Sequence, residues 1–202
     1  MNVKELDISG AWEITPTIHS DSRGMFFEWL TASRFSAFTG HRLDVRQANC
    51  SVSSAGVLRG LHFAQVPPSQ AKYVTCVTGS VFDVVVDIRL GSPTFGCWTS
   101  ITLNDSNRKT IYISESLAHG FLALQDNSTV MYLCSAEYNP AREHAICATD
   151  PDLAIDWPVV DGVDTHLSKR DATAPNLDDI RASGLLPTWD ETQNFIANLG
   201  SK

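Results

Sequence analysis

The sequence predicts a mainly β chain, a jelly-roll barrel with a few short flanking helices. Three observations carry this. Short runs rich in Val, Ile, Thr, Phe and Tyr recur through the middle of the 202 residues, bounded by Gly, Pro, Asn and Asp. Within residues 81–88 the side chains alternate: Phe82, Val84, Val86 and Ile88 share one face, while Val81, Asp83, Val85 and Asp87 share the other. Helical spacing is confined to the flanks of this region.

In chain order, strands are expected at residues 12–16, 24–29, 50–58, 73–78, 81–88, 97–103, 110–113, 120–124 and 129–138. Roughly eight or nine short strands suit a jelly roll. Gly79-Ser80 between two apolar runs is a two-residue hairpin signal. The face of residues 81–88 that carries Asp83 and Asp87 either meets solvent or lines a polar cavity inside a barrel. Helices are expected at residues 31–38, ending before Gly40, at Leu177–Ala182 before Gly184, and at Trp189–Leu199. Thr188 and Glu191 form a capping box for the last helix, whose Trp189, Gln193, Ile196 and Leu199 would pack on the barrel. No repeat or linker-like stretch breaks the chain, so residues 1–202 are expected to form a single domain with a helical segment at about 177–199.

Fifteen Lys and Arg against 23 Asp and Glu give a net charge of −8, which argues against a nucleic-acid binder that relies on broad positive potential. A small anion could still bind where a few Arg and Lys converge. Five Cys at wide, irregular gaps show no metal-ligand or disulfide-framework spacing and suit a reducing compartment. No apolar run approaches the roughly 20 residues needed to cross a bilayer, and the first residues lack a leader pattern. A cytoplasmic chain with no membrane partner is expected.

Polar side chains on apolar strands require a reason, because burying a charge unpaired costs several kcal/mol, roughly. Arg59 and His62 lie within four residues of each other on such a stretch; they either pair internally or face a polar cleft. Lys72 opens the next strand in line with Val74 and Cys76, as an edge charge in solvent or as a fixed cation able to hold an oxyanion. Tyr132 shares its face with Val130 and Cys134; it either packs and donates one hydrogen bond or transfers a proton. His119 precedes Gly120 at a strand start, where close approach by backbone or ligand is expected. Two His without a third ligand at usable spacing disfavour a metal.

Six segments occur in one order: Asp21-Ser-Arg-Gly-Met-Phe-Phe-Glu28, Gln47-Ala-Asn-Cys-Ser51, Val57-Leu-Arg-Gly-Leu-His-Phe63, Ala71-Lys-Tyr-Val74, His119-Gly-Phe121 and Leu167-Ser-Lys-Arg-Asp171. In these the chain resembles the dTDP-4-dehydrorhamnose 3,5-epimerase family of deoxysugar-nucleotide epimerases, most closely its mycobacterium-type members, from about residue 5 to residue 190. The resemblance implies a cupin-type jelly roll, a homodimer, and no metal or organic cofactor. It implies inversion of C3 and C5 of dTDP-4-dehydro-6-deoxy-D-glucose to give dTDP-4-dehydro-L-rhamnose, in dTDP-L-rhamnose biosynthesis.

By that resemblance His62 is the base, Asp171 its partner, Lys72 the cation for the C4 oxyanion, and Tyr132 the acid that returns a proton to C5. Arg23, Glu28, Gln47, Asn49, Arg59, His119 and Glu143 would bind substrate, with Arg23 and Arg59 on the diphosphate. Phe26, Phe27 and Tyr138 are candidates to stack on thymine; Phe26 and Phe27, adjacent in the chain, point to opposite faces, so at most one reaches the base. Asp83 would act behind these residues. The family commonly has Lys immediately before the Asp171 position, where this chain has Arg170 with Lys169 one place earlier. The alternative activities are inversion at C5 or C3 only, or movement of the keto group. A binding module without catalysis would not require a base, its carboxylate, a cation and an acid together.

Overall fold

β-Branched and aromatic residues at period two favour strands. In the computed structural model, which describes residues 1–199, they form β1 (Asn2–Glu5), β2 (Ala11–Thr15), β3 (His19–Asp21), β4 (Gly24–Phe26), β5 (Gln47–Ser53), β6 (Leu58–Ala64), β7 (Lys72–Thr78), β8 (Ser80–Asp87), β9 (Trp98–Asn104), β10 (Thr110–Ile113), β11 (Leu117–Ala123), β12 (Ser128–Cys134) and β13 (Glu143–Ala145). The helices are α1 (Ala32–Thr39), α2 (Lys169–Ala172), α3 (Leu177–Ala182) and α4 (Trp189–Leu199). All strand pairs are antiparallel. One sheet runs β1-β2-β10-β7-β12-β5, a second β13-β6-β11-β8-β9, and β3-β4 stands as a separate hairpin.

The two large sheets face each other across a core that includes Val74, Cys76, Val81, Val85, Ile111, Phe121 and Val130. Burying each such Val or Ile is worth about 1.5–3 kcal/mol. Behind the second sheet, Leu58, Leu61, Phe63, Val84 and Val86 meet Ile146, Leu153, Leu177, Ile180 and Leu186 of the C-terminal third. Behind the first, Tyr73 and Tyr112 meet Phe35 of α1. This is a two-sheet jelly roll with both outer faces partly covered.

Several expectations change. β7 and β8 do not form a hairpin: at Gly79 (φ 75°) the chain leaves one sheet and enters the other. The two-residue turn signal marks a corner here because the apolar runs on either side are needed by different sheets. Residues 50–58 are two strands, broken by a turn at Ala55-Gly56. Of the two readings left open for the Asp83 and Asp87 face, solvent contact is removed, since both are wholly buried; Asp87 accepts from Arg89, Ser92 and Thr94, and these bonds outweigh burial and hold its pKa low. Strand β12 stops at Cys134, so Tyr138 lies beyond it.

α1 ends on Gly40 in the left-handed region, and α4 begins with the reciprocal Thr188–Glu191 capping bonds. On α4, Trp189, Ile196 and Leu199 are half-buried as expected, but Thr192 is buried in place of Gln193, which is exposed. The short helix α2 has no sequence-level expectation behind it, since four residues are too few to show a period.

Candidate active site

Arg59 and His62 are three residues apart, which in a regular strand puts them on opposite faces. A β-bulge changes that. Between His62↔His119 and Arg59↔Phe121, β6 advances three residues while β11 advances two. Leu58, Leu61 and Phe63 then all pack outward, and Arg59 and His62 both face the inner side. The bulge requires Gly60: its φ is 121°, and a Cβ there would lie 2.5 Å from the Gly120 Cα. The close backbone approach expected at His119-Gly120 is therefore with Gly60.

His62 Nε2 lies 2.7 Å from Asp171 Oδ1. Asp171 sits in the first turn of α2, where the capping Ser168 Oγ accepts from its backbone N–H at 3.1 Å. Burial alone would raise the Asp171 pKa. The hydrogen bond and charge of His62, with Ser168 and the Gly60 N–H, outweigh it and hold the carboxyl below its usual value. A carboxylate only accepts, so Nε2 carries the proton and Nδ1 is left as the basic nitrogen. Val57, Leu58, Arg59, His62, His166, Leu167, Ser168, Arg170 and Asp171 line a cavity of about 420 Å³ around this pair.

On the adjacent strand, directly opposite His62, His119 places Nε2 at 3.0 and 2.9 Å from the two oxygens of Asp83. Lys72 is half-buried; burial lowers its pKa, against the opposing influence of Cys134, Glu143 and Asp83. It lines a narrower cleft with Gln70, Phe63 and Glu143, outside the cavity that holds His62. Tyr132 packs against the inner core, and burial, with Cys134 and Glu143, raises its pKa against the pull of Arg59. Lys72 and Tyr132 share Glu143 as an electrostatic neighbour, with Asp83 acting also on Lys72 and Arg59 on Tyr132, while His62 lies in the other cavity.

Gln47 and Asn49 lie on the inner face of β5, with Asn49 opposite Tyr132. The Gln47 amide donates to Asn49 Oδ1 at 2.8 Å, and its Oε1 accepts from the Tyr138 N–H at 2.8 Å. Tyr138 itself is exposed but is anchored to the site by that bond. Lys169 and Arg170 are both exposed, and it is Arg170 that lines the cavity and donates to the Glu143 carbonyl at 3.1 Å.

Arg23, Phe26 and Glu28 are not brought to the His62 cavity within this chain. Arg23 pairs with Asp21 in solvent, Phe26 is 67% exposed, and Glu28 pairs with Arg34 at 3.5 Å. The β3-β4 hairpin that holds Arg23 and Phe26 belongs to neither large sheet, and Glu28 follows just after it, so the main fold leaves them outside.

Sequence reasoning missed Cys134, which stands opposite Lys72 in register and accepts from Asn49 Nδ2 at 3.6 Å. Its period-two relation to Tyr132 was the available signal. Ser53 and His166 also escaped notice, and Ser168 stood in the Leu167–Asp171 segment without a role, since Ser and His in loops and at strand ends carry no pattern. Among the described residues no group of three or more His, Cys, Asp or Glu is arranged to hold a metal ion, all five cysteines are free, and no helix is long and apolar enough to cross a membrane.

Residues 5–179 match the family model described as dTDP-4-dehydrorhamnose 3,5-epimerase. The chain is 75% identical over 199 residues to a Mycobacterium tuberculosis protein named dTDP-4-dehydrorhamnose 3,5-epimerase, covering 98% of both chains. The solved M. tuberculosis rmlC epimerase superposes with a TM-score of 0.97 over 98% of this chain and 100% of that one, at 75% identity. A Legionella pneumophila dTDP-6-deoxy-D-glucose-3,5-epimerase, solved with dTDP-4-keto-L-rhamnose, superposes with a TM-score of 0.86 at 41% identity, over 93% and 98% of the two chains. A jelly roll of this topology, carrying His62 and His119 side by side with an Asp on each and matched over almost its whole length, belongs to the dTDP-4-dehydrorhamnose 3,5-epimerase family.

Proposed function

We propose that this chain inverts C3 and C5 of dTDP-4-dehydro-6-deoxy-D-glucose, giving dTDP-4-dehydro-L-rhamnose. The observation that carries the reading is the His62–Asp171 pair at the wall of a cavity bordered by Arg59 and Arg170, in a chain 75% identical to a relative named for this activity.

C3 and C5 both flank the C4 ketone, so each can lose its proton to form an enolate. His62 takes the proton on Nδ1, and the Asp171 carboxylate stabilises the imidazolium that results. The Lys72 ammonium holds the charge that develops on the C4 oxygen. Tyr132 remains a phenol because burial raises its pKa, and it returns its proton to C5 from the opposite face. The phenolate is then reprotonated from solvent, His62 releases its proton to solvent before the second abstraction, and the C3 enolate takes its new proton from water. Arg59 and Arg170 supply positive charge for the diphosphate, which offsets the overall −8 locally. Glu143, Gln47, Asn49 and His119 orient the sugar nucleotide, and Asp83 holds His119 from behind.

The proposal extends to a cytoplasmic homodimer. The exposed Met25 and Phe26 on the β3-β4 hairpin, and the exposed Val52 and Cys50 on edge strand β5, leave apolar surface for a second copy. Arg23, Phe26 and Glu28 would then serve the neighbouring copy's cavity. Equilibrium sedimentation tests this; a monomer at assay concentration would exclude it.

Turnover in deuterated water tests the chemistry. Deuterium at both C3 and C5 is the expected result. Label at C3 alone would move the chain to the single inversion after which a 51% identical Streptomyces niveus relative, a dTDP-4-dehydrorhamnose 3-epimerase, is named.

A further inference from the structure

We infer that Ser53 is a positioning residue that aims the Arg59 guanidinium at the diphosphate of the nucleotide sugar; this rests on the function proposed above. Ser53 ends the inner face of β5, at the edge of the first sheet, and is buried (3% exposed). Arg59 stands on the bulge of β6, in the second sheet. The Arg59 Nε–H donates to Ser53 Oγ at 3.1 Å, and Nη2 donates to the Val52 carbonyl at 3.4 Å. These two bonds bridge the sheets where they part at the cavity.

A guanidinium has two edges suited to paired acceptors: Nε with Nη2, and Nη1 with Nη2. Strand β5 occupies the first edge. The second remains for a ligand, and Arg59 lines the cavity. A phosphate with two oxygens matches that edge. Without the Ser53 hydroxyl, the long Arg side chain regains its rotamers and must be ordered again when ligand binds. Binding is therefore expected to weaken while the proton transfers at His62 are left nearly intact.

The test is calorimetric titration of dTDP into wild type, Ser53→Ala, Ser53→Thr, Arg59→Ala and the Arg59→Ala/Ser53→Ala double variant, each checked for an unchanged melting temperature, together with kcat and KM for the 4-dehydro sugar nucleotide. Ser53→Ala should raise the dTDP Kd about tenfold, the size of one hydrogen bond to a charged group, and raise KM more than it lowers kcat. Ser53→Thr, which keeps the hydroxyl, should stay within about threefold of wild type. In the Arg59→Ala background the Ser53→Ala change should add nothing, because its only route to the ligand is gone. Equal Kd for Ser53→Ala and wild type, or a full additional loss in the double variant, overturns the inference. Failure of wild type to bind dTDP at all would instead overturn the proposed function.

Discussion

His62 Nε2 and Asp171 Oδ1 stand 2.7 Å apart although 109 residues separate them in the chain. The bulge at Gly60 turns the imidazole inward, and the Ser168 cap fixes the carboxylate in the first turn of α2. The pair thus joins a strand of the jelly roll to the C-terminal segment that closes over it.

Replacing Asp171 with Asn should lower the C5 exchange rate by about 10²–10⁴-fold with little change in KM. An amide can donate to Nε2, which would move the ring proton to Nδ1 and remove the base. The same change should act on stability in a pH-dependent way. The folded-state pKa of Asp171 lies below the unfolded value of about 3.9, so the folded chain binds fewer protons at this site. The stabilisation is complete above the unfolded pKa and is lost as pH falls through the folded one. The melting-temperature gap between wild type and Asp171→Asn should therefore be widest near neutral pH and close in acid. A gap independent of pH would contradict the assigned ionisation.

Lys72 predicts an alkaline limb in the rate profile. Burial lowers its pKa from the usual value of about 10.4, and only the ammonium form can hold an oxyanion, so kcat should fall as pH rises through that lowered pKa. The raised pKa of Tyr132 moves its own titration the other way, to higher pH. Lys72→Arg should reduce kcat and abolish the limb; persistence of the limb at the same pH would assign it elsewhere.

Tyr132→Phe should separate two events at C5. Loss of the C5 proton should continue, since His62 is untouched, while inversion falls about 10²–10⁴-fold. Proton NMR of recovered substrate and product measures both. An equal fall in the two rates would remove Tyr132 from the acid role.

Gly60→Ala should destabilise the fold by on the order of 2–3 kcal/mol, through positive φ and the contact with Gly120. Denaturant titration gives this value directly. At permissive temperature, residual activity should fall further than the folded fraction, because relieving the bulge turns either Arg59 or His62 away from the cavity.

Much of the site was legible without coordinates. Strand periodicity put Lys72 in line with Val74 and Cys76, and Tyr132 in line with Cys134, and these faces are the inner ones. The bulge was only half legible: an isolated Gly between Arg59 and Leu61 signals an irregularity but not its size. Cys134 and Ser53 were passed over because a small side chain on an apolar strand is indistinguishable from core until its neighbours across the sheet are known.

Composition and local pattern alone determined that this is a mainly β chain with short flanking helices, and that segments carrying His62, Lys72, His119 and Asp171 occur together in the order of one family. These follow from period, propensity and residue chemistry, which act over a few residues. Only the tertiary structure decided that β7 and β8 part into separate sheets, that Arg59 and His62 share a face, that Asp83 holds His119, and that the β3-β4 hairpin stays away from the cavity. The reason is that sheet membership and register are fixed by which apolar faces bury one another across the molecule, and a turn signal such as Gly79-Ser80 carries no information about the strand waiting on the far side.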